Sequence, residues 1–220
     1  MKNIYLLGVG RNTPVFIDLA ECCGYRIAGL YHYNDDLTDT ILHGFKIIGS
    51  FETLFKHGNL LGNNYLLTMG DNLIRTKVAE EIRRLGGNTP TIIHPLTVIS
   101  RFAKIEEGVV ISPFTYVQAN SEVGKDTIIL SGVNISHNNK IGKGCFIAGG
   151  ATVGAYTIVG DHVFIGQGAL TISEKVDHIG DNTYIGAAAL VTKSLPPNIV
   201  VAGSPARPVS VNSGKNAIKA

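Results

Sequence analysis

The hydrophobic pattern of the chain changes its period near residue 90. Before that point, short apolar runs alternate with stretches in which apolar residues recur at helical spacing, which predicts four strands and two helices. The predicted strands are Ile4–Leu7, Arg26–Tyr31, Phe45–Ile48 and Tyr65–Thr68, and the predicted helices are Thr13–Cys23 and Asn72–Leu85. Strands that alternate with helices are typical of a small parallel sheet. Residues 1–90 are therefore expected to form a Rossmann-like α/β domain.

From residue 99 onward an aliphatic residue recurs at every sixth position. The twelve positions are Ile99, Ile105, Ile111, Val117, Val123, Ile129, Ile135, Ile141, Ile147, Val153, Val159 and Ile165. A small or β-branched residue precedes them by two positions, and glycine often follows them. This period fits neither a helix nor simple alternation, and it indicates a solenoid. Three six-residue segments form one triangular coil, whose aliphatic residues point inward.

The repeat has one irregularity and a predicted end. The gap between Ile165 and Ile179 exceeds two hexads by two residues, so Ile172–His178 is expected to bulge out as a loop. Pro196 and Pro197 cannot donate to a backbone ladder and are predicted to end the stack. The β-helix domain is placed at 91–209, and 210–220 is expected to be a loose tail.

Composition and charge exclude several classes of protein. Hydrophobic residues make up 45% of the chain and charged residues 16%, and the net charge of +2 does not favour nucleic-acid binding. No apolar run of about 18 residues is present, so neither a membrane span nor a cleavable signal is expected. The cysteines Cys22, Cys23 and Cys145 have no disulfide or zinc spacing, which favours a reduced, cytoplasmic protein.

The repeat resembles that of the left-handed β-helix acyltransferases over roughly residues 92–209. The ending Val201–Arg207 is similar to the one that those enzymes place after the last coil. The glycine turn after the first strand, followed by Gly70-Asp71-Asn72 with Arg75, is similar to one subfamily. That subfamily contains bacterial nucleotide-sugar N-acetyltransferases and sialic acid O-acetyltransferases. The resemblance implies a left-handed parallel β-helix that binds acetyl-CoA, an N-terminal domain that binds a nucleotide-linked sugar, and a homotrimer with active sites between chains.

The resemblance also identifies a catalytic histidine. The segment from Ser136 to Gly142 aligns without gaps with the family's catalytic turn, which implies that His137 is the general base. The family usually has an acidic residue next, whereas this chain has Asn138. An amide can hold the ring tautomer but cannot stabilise the imidazolium charge. The weaker base that results favours an amine nucleophile over a hydroxyl. Glu122 or Asp126, from a neighbouring coil or chain, remains an alternative acidic partner.

The resemblance assigns the acetyl-CoA contacts to later coils and to the ending. These contacts are Gly154, Ala155, Gly166, Gly168, Gly186, Ala187, Gly203, Pro205 and Arg207. A backbone N–H near Gly154 and Ala155 is expected to stabilise the oxyanion. No covalent acyl-enzyme is required, so Cys145 is not expected to be a nucleophile.

Substrate contacts are predicted in the N-terminal domain. They are Gly8, Gly10, Arg11, Asn12, His32, Tyr33, Gly70 and Asp71. The glycine turn lets backbone approach a phosphate at a helix start, and it lacks the third glycine of a dinucleotide fingerprint. Subfamily members often have two aspartates where this chain has His32 and Tyr33. These two side chains can stack on a base, which puts uridine diphosphate in doubt.

The sequence thus predicts an acetyl-CoA-dependent N-acetyltransferase acting on the amino group of a nucleotide-linked amino-sugar. The alternative is O-acetylation of a sugar or sialic acid. Two further hypotheses are a non-catalytic scaffold and a metal enzyme resembling γ-class carbonic anhydrases. The metal enzyme is disfavoured because His137, His162 and His178 lack the expected close pair, and no metal site is predicted.

Overall fold

The computed structural model of the chain describes residues 1–56 and 59–212. These residues form two compact units, 1–92 and 93–212. Within the described residues of the first unit lie the strands β1 Lys2–Leu7, β2 Tyr25–His32, β3 Ile41–Leu42, β4 Phe45–Ser50 and β5 Tyr65–Leu67. The helices are α1 Thr13–Cys22, α2 Phe51–Lys56 and α3 Asn72–Arg84. Every predicted strand and helix is present, with bounds within two residues of those expected, whereas the short β3 and α2 were not predicted.

The first unit is built on a sheet with the order β3-β4-β2-β1-β5. The four predicted strands run parallel, and β3 pairs antiparallel with β4 at the edge. Parallel sheets need apolar residues on their strands because helices cover their faces. Accordingly Ile4, Leu6, Leu30, Ile47 and Leu66 are all buried.

The second unit is a parallel β-helix with three faces. Face 1 contains β7 Val98–Ile99, β10 Tyr116–Val117, β13 Asn134–Ile135, β16 Thr152–Val153, β19 Leu170–Thr171 and β22 Leu190–Val191. Face 2 contains β8 Lys104–Ile105, β11 Glu122–Val123, β14 Lys140–Ile141, β17 Ile158–Val159 and β20 His178–Ile179. Face 3 contains β6 Ile92–Ile93, β9 Val110–Ile111, β12 Ile128–Ile129, β15 Phe146–Ile147, β18 Phe164–Ile165, β21 Tyr184–Ile185 and β23 Ile199–Ala202. The strand β24 Arg207–Val211 pairs antiparallel with β23.

The second residue of each two-residue strand points into the prism, as the six-residue period predicted. Ten of the twelve aliphatic positions are buried, and Ile99 and Ile105 of the first coil pack partly buried against the same core. Each coil donates backbone hydrogen bonds to the next. In one rung, the N–H groups of Asn134 and Ser136 lie 3.0 Å from the carbonyl oxygens of Ala151 and Val153.

The predicted end of the stack is wrong. Leu195 continues the ladder because its N–H donates to His178 and its carbonyl accepts from Gly180. Beyond the prolines, β23 pairs in parallel with β21 and adds a further rung. Leu195 is the last residue that pairs on face 2 within the described residues, so no further strand there requires the N–H groups that Pro196 and Pro197 lack.

The predicted bulge lies between β19 and β20, starting one residue after Thr171. Thr171 occupies the inward position that an aliphatic residue holds elsewhere and is buried. Its hydroxyl oxygen accepts a hydrogen bond from the N–H of Gly154 at 2.8 Å. In the predicted tail, β24 reaches Val211, and residues 213–220 lie outside the described residues.

The helices of the first unit are short. Among residues 1–56 and 59–212, none of the helices is both long enough and apolar enough to cross a membrane.

The stacking of coils predicts which glycines the fold requires. A Cβ at Gly124 would lie 2.7 Å from the carbonyl carbon of Gly142, whereas a Cβ at Gly149 would meet a single oxygen, that of Ser131, at 3.2 Å. We expect Gly124→Ala to lower the free energy of unfolding by about 1–3 kcal/mol, because three backbone atoms of the next coil would lie within 3 Å of the added Cβ. Gly149→Ala should cost less, and urea denaturation measures both. Equal losses would contradict this account.

Candidate functional site

His137 lies in the turn between β13 and β14, on the edge where face 1 meets face 2. This edge, made of the turn residues between those faces, is called the His137 edge. Asn138 adopts the left-handed backbone conformation (φ 58°) that the turn requires and that asparagine tolerates well. His137 is exposed beside it. The coil geometry therefore presents the imidazole at the surface of the β-helix.

The imidazole has defined neighbours on two sides. The Nδ2 atom of Asn138 lies 2.8 Å from His137 Nδ1, so Asn138 engages one of the two ring nitrogens and Nε2 is the other. The ring of Tyr156, one coil further on, stands edge-on to the imidazole with centroids 5.2 Å apart. On the preceding coil, Nδ2 of Asn120 lies 3.1 Å from Oδ1 of Asn138. Asn120, Asn138 and Tyr156 thus stack at 18-residue intervals.

Buried polar side chains fix the backbone of the turn that contains His137. Asn139 is fully buried, and its Nδ2 donates to the carbonyl of Ser136 at 2.8 Å. Its Oδ1 accepts from the N–H of Thr157 on the next coil at 2.7 Å. The hydroxyl of Ser121 donates to the same Ser136 carbonyl at 2.7 Å. Buried amides with satisfied hydrogen bonds rigidify their surroundings, so the backbone beside His137 is held from both adjacent coils.

The predicted alternative acids have other surroundings. Glu122 pairs with Lys104 at 3.0 Å, and that hydrogen bond holds the pKa of Glu122 below its usual value. Asp126 is buried in a turn with positive φ. Asn138 is the hydrogen-bonding partner that the structure gives to His137 Nδ1.

The predicted oxyanion donors are engaged with hydroxyl groups. Gly154 and Ala155 lie on the His137 edge, one coil beyond His137. The N–H of Gly154 donates to Thr171 Oγ1 at 2.8 Å, and the N–H of Ala155 donates to Ser173 Oγ at 2.9 Å. A hydroxyl that accepts a hydrogen bond keeps its own proton to donate. Ser173 is exposed whereas Ala155 is buried, so the hydroxyl proton of Ser173 is accessible from solvent.

The remaining predicted acetyl-CoA contacts lie elsewhere on the prism. Gly166, Gly168, Gly186 and Ala187 occupy turns between face 3 and face 1, here called the glycine edge. A Cβ at Gly166 would lie 2.5 Å from the N atom of Ala187, so stacking itself requires this glycine. Gly203, which has positive φ, and Pro205 lie before β24, and Arg207 is the first residue of that strand. The structure thus places these contacts and His137 on different edges.

The glycine turn of the first unit joins β1 to α1. Gly8 has φ 100°, and its N–H donates to the carbonyl of Tyr31 on β2. The hydroxyl of Thr68 lies 2.8 Å from the Gly8 carbonyl and ties the turn to the end of β5. The N–H of Gly10 donates to Thr13 Oγ1, where α1 begins. Asn12 makes no side-chain cap on α1.

His32 is the last residue of β2, and Tyr33 follows it. Their rings meet edge-on at 5.5 Å, and Tyr33 packs against Phe51 at 5.1 Å while remaining 43% exposed. Burial is the main cause that raises the pKa of Tyr33, and the carboxylate of Asp71 adds to it. Within the described residues, Nδ1 of His32 is buried without a hydrogen-bond partner. The predicted contacts His32, Tyr33 and Asp71 therefore share one neighbourhood.

Asp71 and Arg75 have structural partners that explain their motif. Asp71 caps α3, because its carboxylate accepts from the N–H of Ile74 at 2.9 Å. Arg75 is fully buried and donates to the carbonyl of Met69 and to Oδ1 of Asn72. The guanidinium fixes the turn that carries Gly70, where an added Cβ would meet nothing within 4 Å.

Asp35, the first acidic residue after His32 and Tyr33, is fixed by hydrogen bonds. Asp35 accepts from the N–H of Ser50 at 2.8 Å and lies 3.2 Å from the hydroxyl of Thr53. These hydrogen bonds, led by Ser50, lower its pKa. Asp35 thus ties its loop to the start of α2.

Within residues 1–56 and 59–212, no three His, Cys, Asp or Glu side chains form a group that could hold a metal ion.

Comparisons with known proteins identify similar structures. A variant of perosamine N-acetyltransferase from Caulobacter crescentus, solved with CoA and GDP-perosamine, is 25% identical with a TM-score of 0.86, covering 96% of this chain and 98% of that one. The acetyltransferase domain of PglB from Neisseria gonorrhoeae, solved with acetyl coenzyme A, is 27% identical with a TM-score of 0.85, covering 94% and 99%. No family model and no curated protein matches.

The chain resembles the hexapeptide-repeat sugar acetyltransferases. The resemblance predicted from sequence is confirmed, and so is the prediction of an acyltransferase. WeeI from Acinetobacter baumannii, 23% identical with a TM-score of 0.80 over 95% of this chain and all of that one, shares the fold. The three parallel faces fit the left-handed β-helix of acetyltransferases.

The period of 18 contained a signal for residues that sequence reasoning missed. Asn120 precedes Asn138 by three hexads, so the repeat alone stacks the two amides. Ser173 and Ala155 are also 18 residues apart, but the predicted bulge obscured this relation. Thr68 and Ser121 gave no comparable signal, because their contacts depend on side-chain direction.

Proposed function

We propose that this chain is an acetyl-CoA-dependent N-acetyltransferase that acts on the amino group of a nucleotide-linked amino-sugar. The observation that carries the proposal is the exposed His137, held at Nδ1 by Asn138 on the edge of a β-helix. The Caulobacter crescentus neighbour, similar over almost the whole chain, is an N-acetyltransferase solved with CoA and GDP-perosamine. In this proposal the Rossmann-like unit of residues 1–92 binds the sugar nucleotide and the β-helix binds acetyl-CoA.

His137 acts as the general base. Acetyl-CoA supplies an acetyl group activated as a thioester. The amine nitrogen bonds to the carbonyl carbon of the thioester while Nε2 of His137 accepts a proton from the amine. His137 then gives that proton to the departing sulfur of CoA. The products are an amide and free CoA. Cys145 is not needed as a nucleophile, since it is fully buried and its Sγ lies 3.2 Å from the carbonyl of Gly160.

Ser173 replaces the backbone as the proposed oxyanion donor. The N–H of Ala155 already donates to Ser173 Oγ. A hydroxyl that accepts a hydrogen bond becomes a stronger donor. Ser173 lies one coil beyond Ala155 and two coils beyond His137, and coils are about 4.8 Å apart. A thioester that lies along the His137 edge would contact first the base His137 and then the donor Ser173.

The separation of the His137 edge from the glycine edge favours an active site that is shared between two chains. His137 and the glycine edge are separated by face 1, a six-residue side that spans roughly 15–20 Å of extended backbone. Their separation favours a site in which the His137 edge of one protomer faces the glycine edge of another. A cyclic homotrimer brings such unlike surfaces together at each interface.

The first unit supports a sugar nucleotide with a purine base. Tyr33 offers an exposed aromatic face, and the buried Nδ1 of His32 is a polar atom that a ligand can satisfy. Asp35, the acid closest to the position of the subfamily's aspartates, is held by Ser50 and Thr53. A guanosine diphosphate sugar is bound by the Caulobacter crescentus neighbour.

The central experiment measures acetyl transfer with His137→Ala. Release of CoA is followed with acetyl-CoA and a panel of nucleotide-linked amino-sugars, beginning with GDP-linked ones. We expect turnover by the native chain and a fall in kcat of about 10²- to 10⁴-fold in the variant, with unchanged CoA binding. His178→Ala, which removes another exposed histidine of the β-helix, is the control. Turnover of hydroxylated sugars alone would establish O-acetylation, and full activity of His137→Ala would refute the proposed base.

Ser173→Ala decides which group stabilises the oxyanion. If the hydroxyl is the donor, kcat should fall about 10²- to 10³-fold with little change in KM. The substitution also releases the N–H of Ala155. An unchanged or higher kcat would therefore assign the role to the Ala155 backbone, as the sequence predicted.

Gly10→Ala tests whether the glycine turn approaches a phosphate. A Cβ at Gly10 would lie 4.0 Å from the nearest carbonyl oxygen, so the fold should tolerate it. We expect KM for the sugar nucleotide to rise about 10-fold or more, because the added methyl group would hold the phosphate away from the backbone N–H groups of the turn, and one charge-assisted hydrogen bond is worth about that much. Gly8→Ala is the contrasting variant, since its positive φ predicts lost stability. A normal KM in Gly10→Ala would place the phosphate elsewhere.

A further inference from the structure

A chain of side-chain amides leads from the preceding coil to His137. Nδ2 of Asn120 lies 3.1 Å from Oδ1 of Asn138, whose Nδ2 lies 2.8 Å from His137 Nδ1. Both asparagines have φ 58° and occupy the same turn position, 18 residues apart. Stacking of the coils therefore holds the two amides in contact, and no carboxylate is needed to orient the imidazole.

The hydrogen bonds from Asn120 through Asn138 to His137 can run in either of two directions. In one, Asn120 donates to Asn138, Asn138 donates to His137 Nδ1, and the imidazole proton is on Nε2. Turning over both amides gives the other direction, since the oxygen and nitrogen of an amide occupy equivalent positions. Asn120 then accepts from Asn138, Asn138 accepts from Nδ1–H, and Nε2 has the lone pair.

A general base at Nε2 requires the second direction. A proton on Nε2 would block acceptance of the amine proton. Once Nε2 has accepted that proton, both ring nitrogens are donors, and Nδ1–H needs an acceptor. Oδ1 of Asn138 supplies it when Nδ2 has an acceptor of its own. That terminal acceptor is Oδ1 of Asn120.

We propose that Asn120 is a positioning residue that, through Asn138, selects the Nδ1–H tautomer of His137. The inference rests on the proposed role of His137 as base. It differs from a carboxylate partner because two neutral amides fix the direction of the ring without adding charge. Asn120 contacts Asn138 and acts on the reaction only through it.

The chain offers a matched control for loss of a stacked asparagine. Asn182 and Asn198 occupy the same kind of turn on another edge, with φ 54° and 58° and an amide contact of 3.2 Å. Glycine is the appropriate replacement at both sites because it removes the amide without straining a positive φ. Asn120→Gly and Asn182→Gly thus lose equivalent contacts, but only the first lies beside His137.

The test combines kinetics with the tautomer of His137. We expect Asn120→Gly to lower kcat about 10-fold, with both KM values unchanged, while Asn182→Gly keeps the native kcat. Asn120→Asp offers only an acceptor to Asn138 when ionised, so it should restore kcat. Its negative charge should also move the acidic limb of the pH–rate profile to higher pH.

Nitrogen-15 NMR of histidine-labelled protein reports the tautomer without turnover. The native chain and Asn120→Asp should show His137 protonated at Nδ1, and Asn120→Gly should gain the Nε2–H form. An unchanged tautomer in Asn120→Gly, or an equal loss of kcat in Asn182→Gly, overturns the inference. Failure of the native chain to transfer acetyl groups would instead refute the proposed function, and the spectra would still decide the role of Asn120.

Discussion

The backbone ladder between successive coils is the constraint on which the second unit depends. In the rungs before the bulge, paired residues are 18 positions apart, as when Tyr116 pairs with Asn134 and Asn134 with Thr152. Neighbouring strands are separated by about 4.8 Å, which is close enough for short side chains on adjacent coils to form hydrogen bonds. Asn120 therefore reaches Asn138, and Ser173 reaches Ala155, without any long side chain. The hydrogen bonds of the His137 edge are therefore contacts between rungs.

The period of six predicted most of this architecture, because inward aliphatic positions in a β-helix leave a direct trace in sequence. The end of the stack was mispredicted because the prolines follow the last paired residue of face 2, Leu195, whereas face 3 continues with β23. The six-residue period also did not predict the hydrogen-bond partners of the side chains and turns. The engagement of Ala155 with Ser173 depends on how the bulge after Thr171 is folded, which the number of inserted residues does not determine.

In the first unit, single residues combine structural and proposed ligand roles. Asp71 caps α3 through one carboxylate oxygen and also contributes to the raised pKa of Tyr33. The sequence predicted Asp71 as a ligand contact because ligands bind at the carboxyl ends of parallel strands. The same position is where the following helix needs a cap. Buried Arg75 then makes the turn rigid, so fold and proposed binding depend on the same few residues.

The bulge between β19 and β20 connects an irregularity of the fold to the proposed chemistry. In regular rungs the N–H after an inward residue donates to a backbone carbonyl, as Gly142 does to Val159. Beside the bulge, the N–H of Gly154 donates instead to the hydroxyl of Thr171. Backbone carbonyls can only accept, whereas a hydroxyl accepts and donates at once. The replacement of carbonyls by hydroxyls one coil beyond His137 therefore provides a donor that a regular ladder lacks, and the proposed mechanism uses the hydroxyl of Ser173 to stabilise the oxyanion.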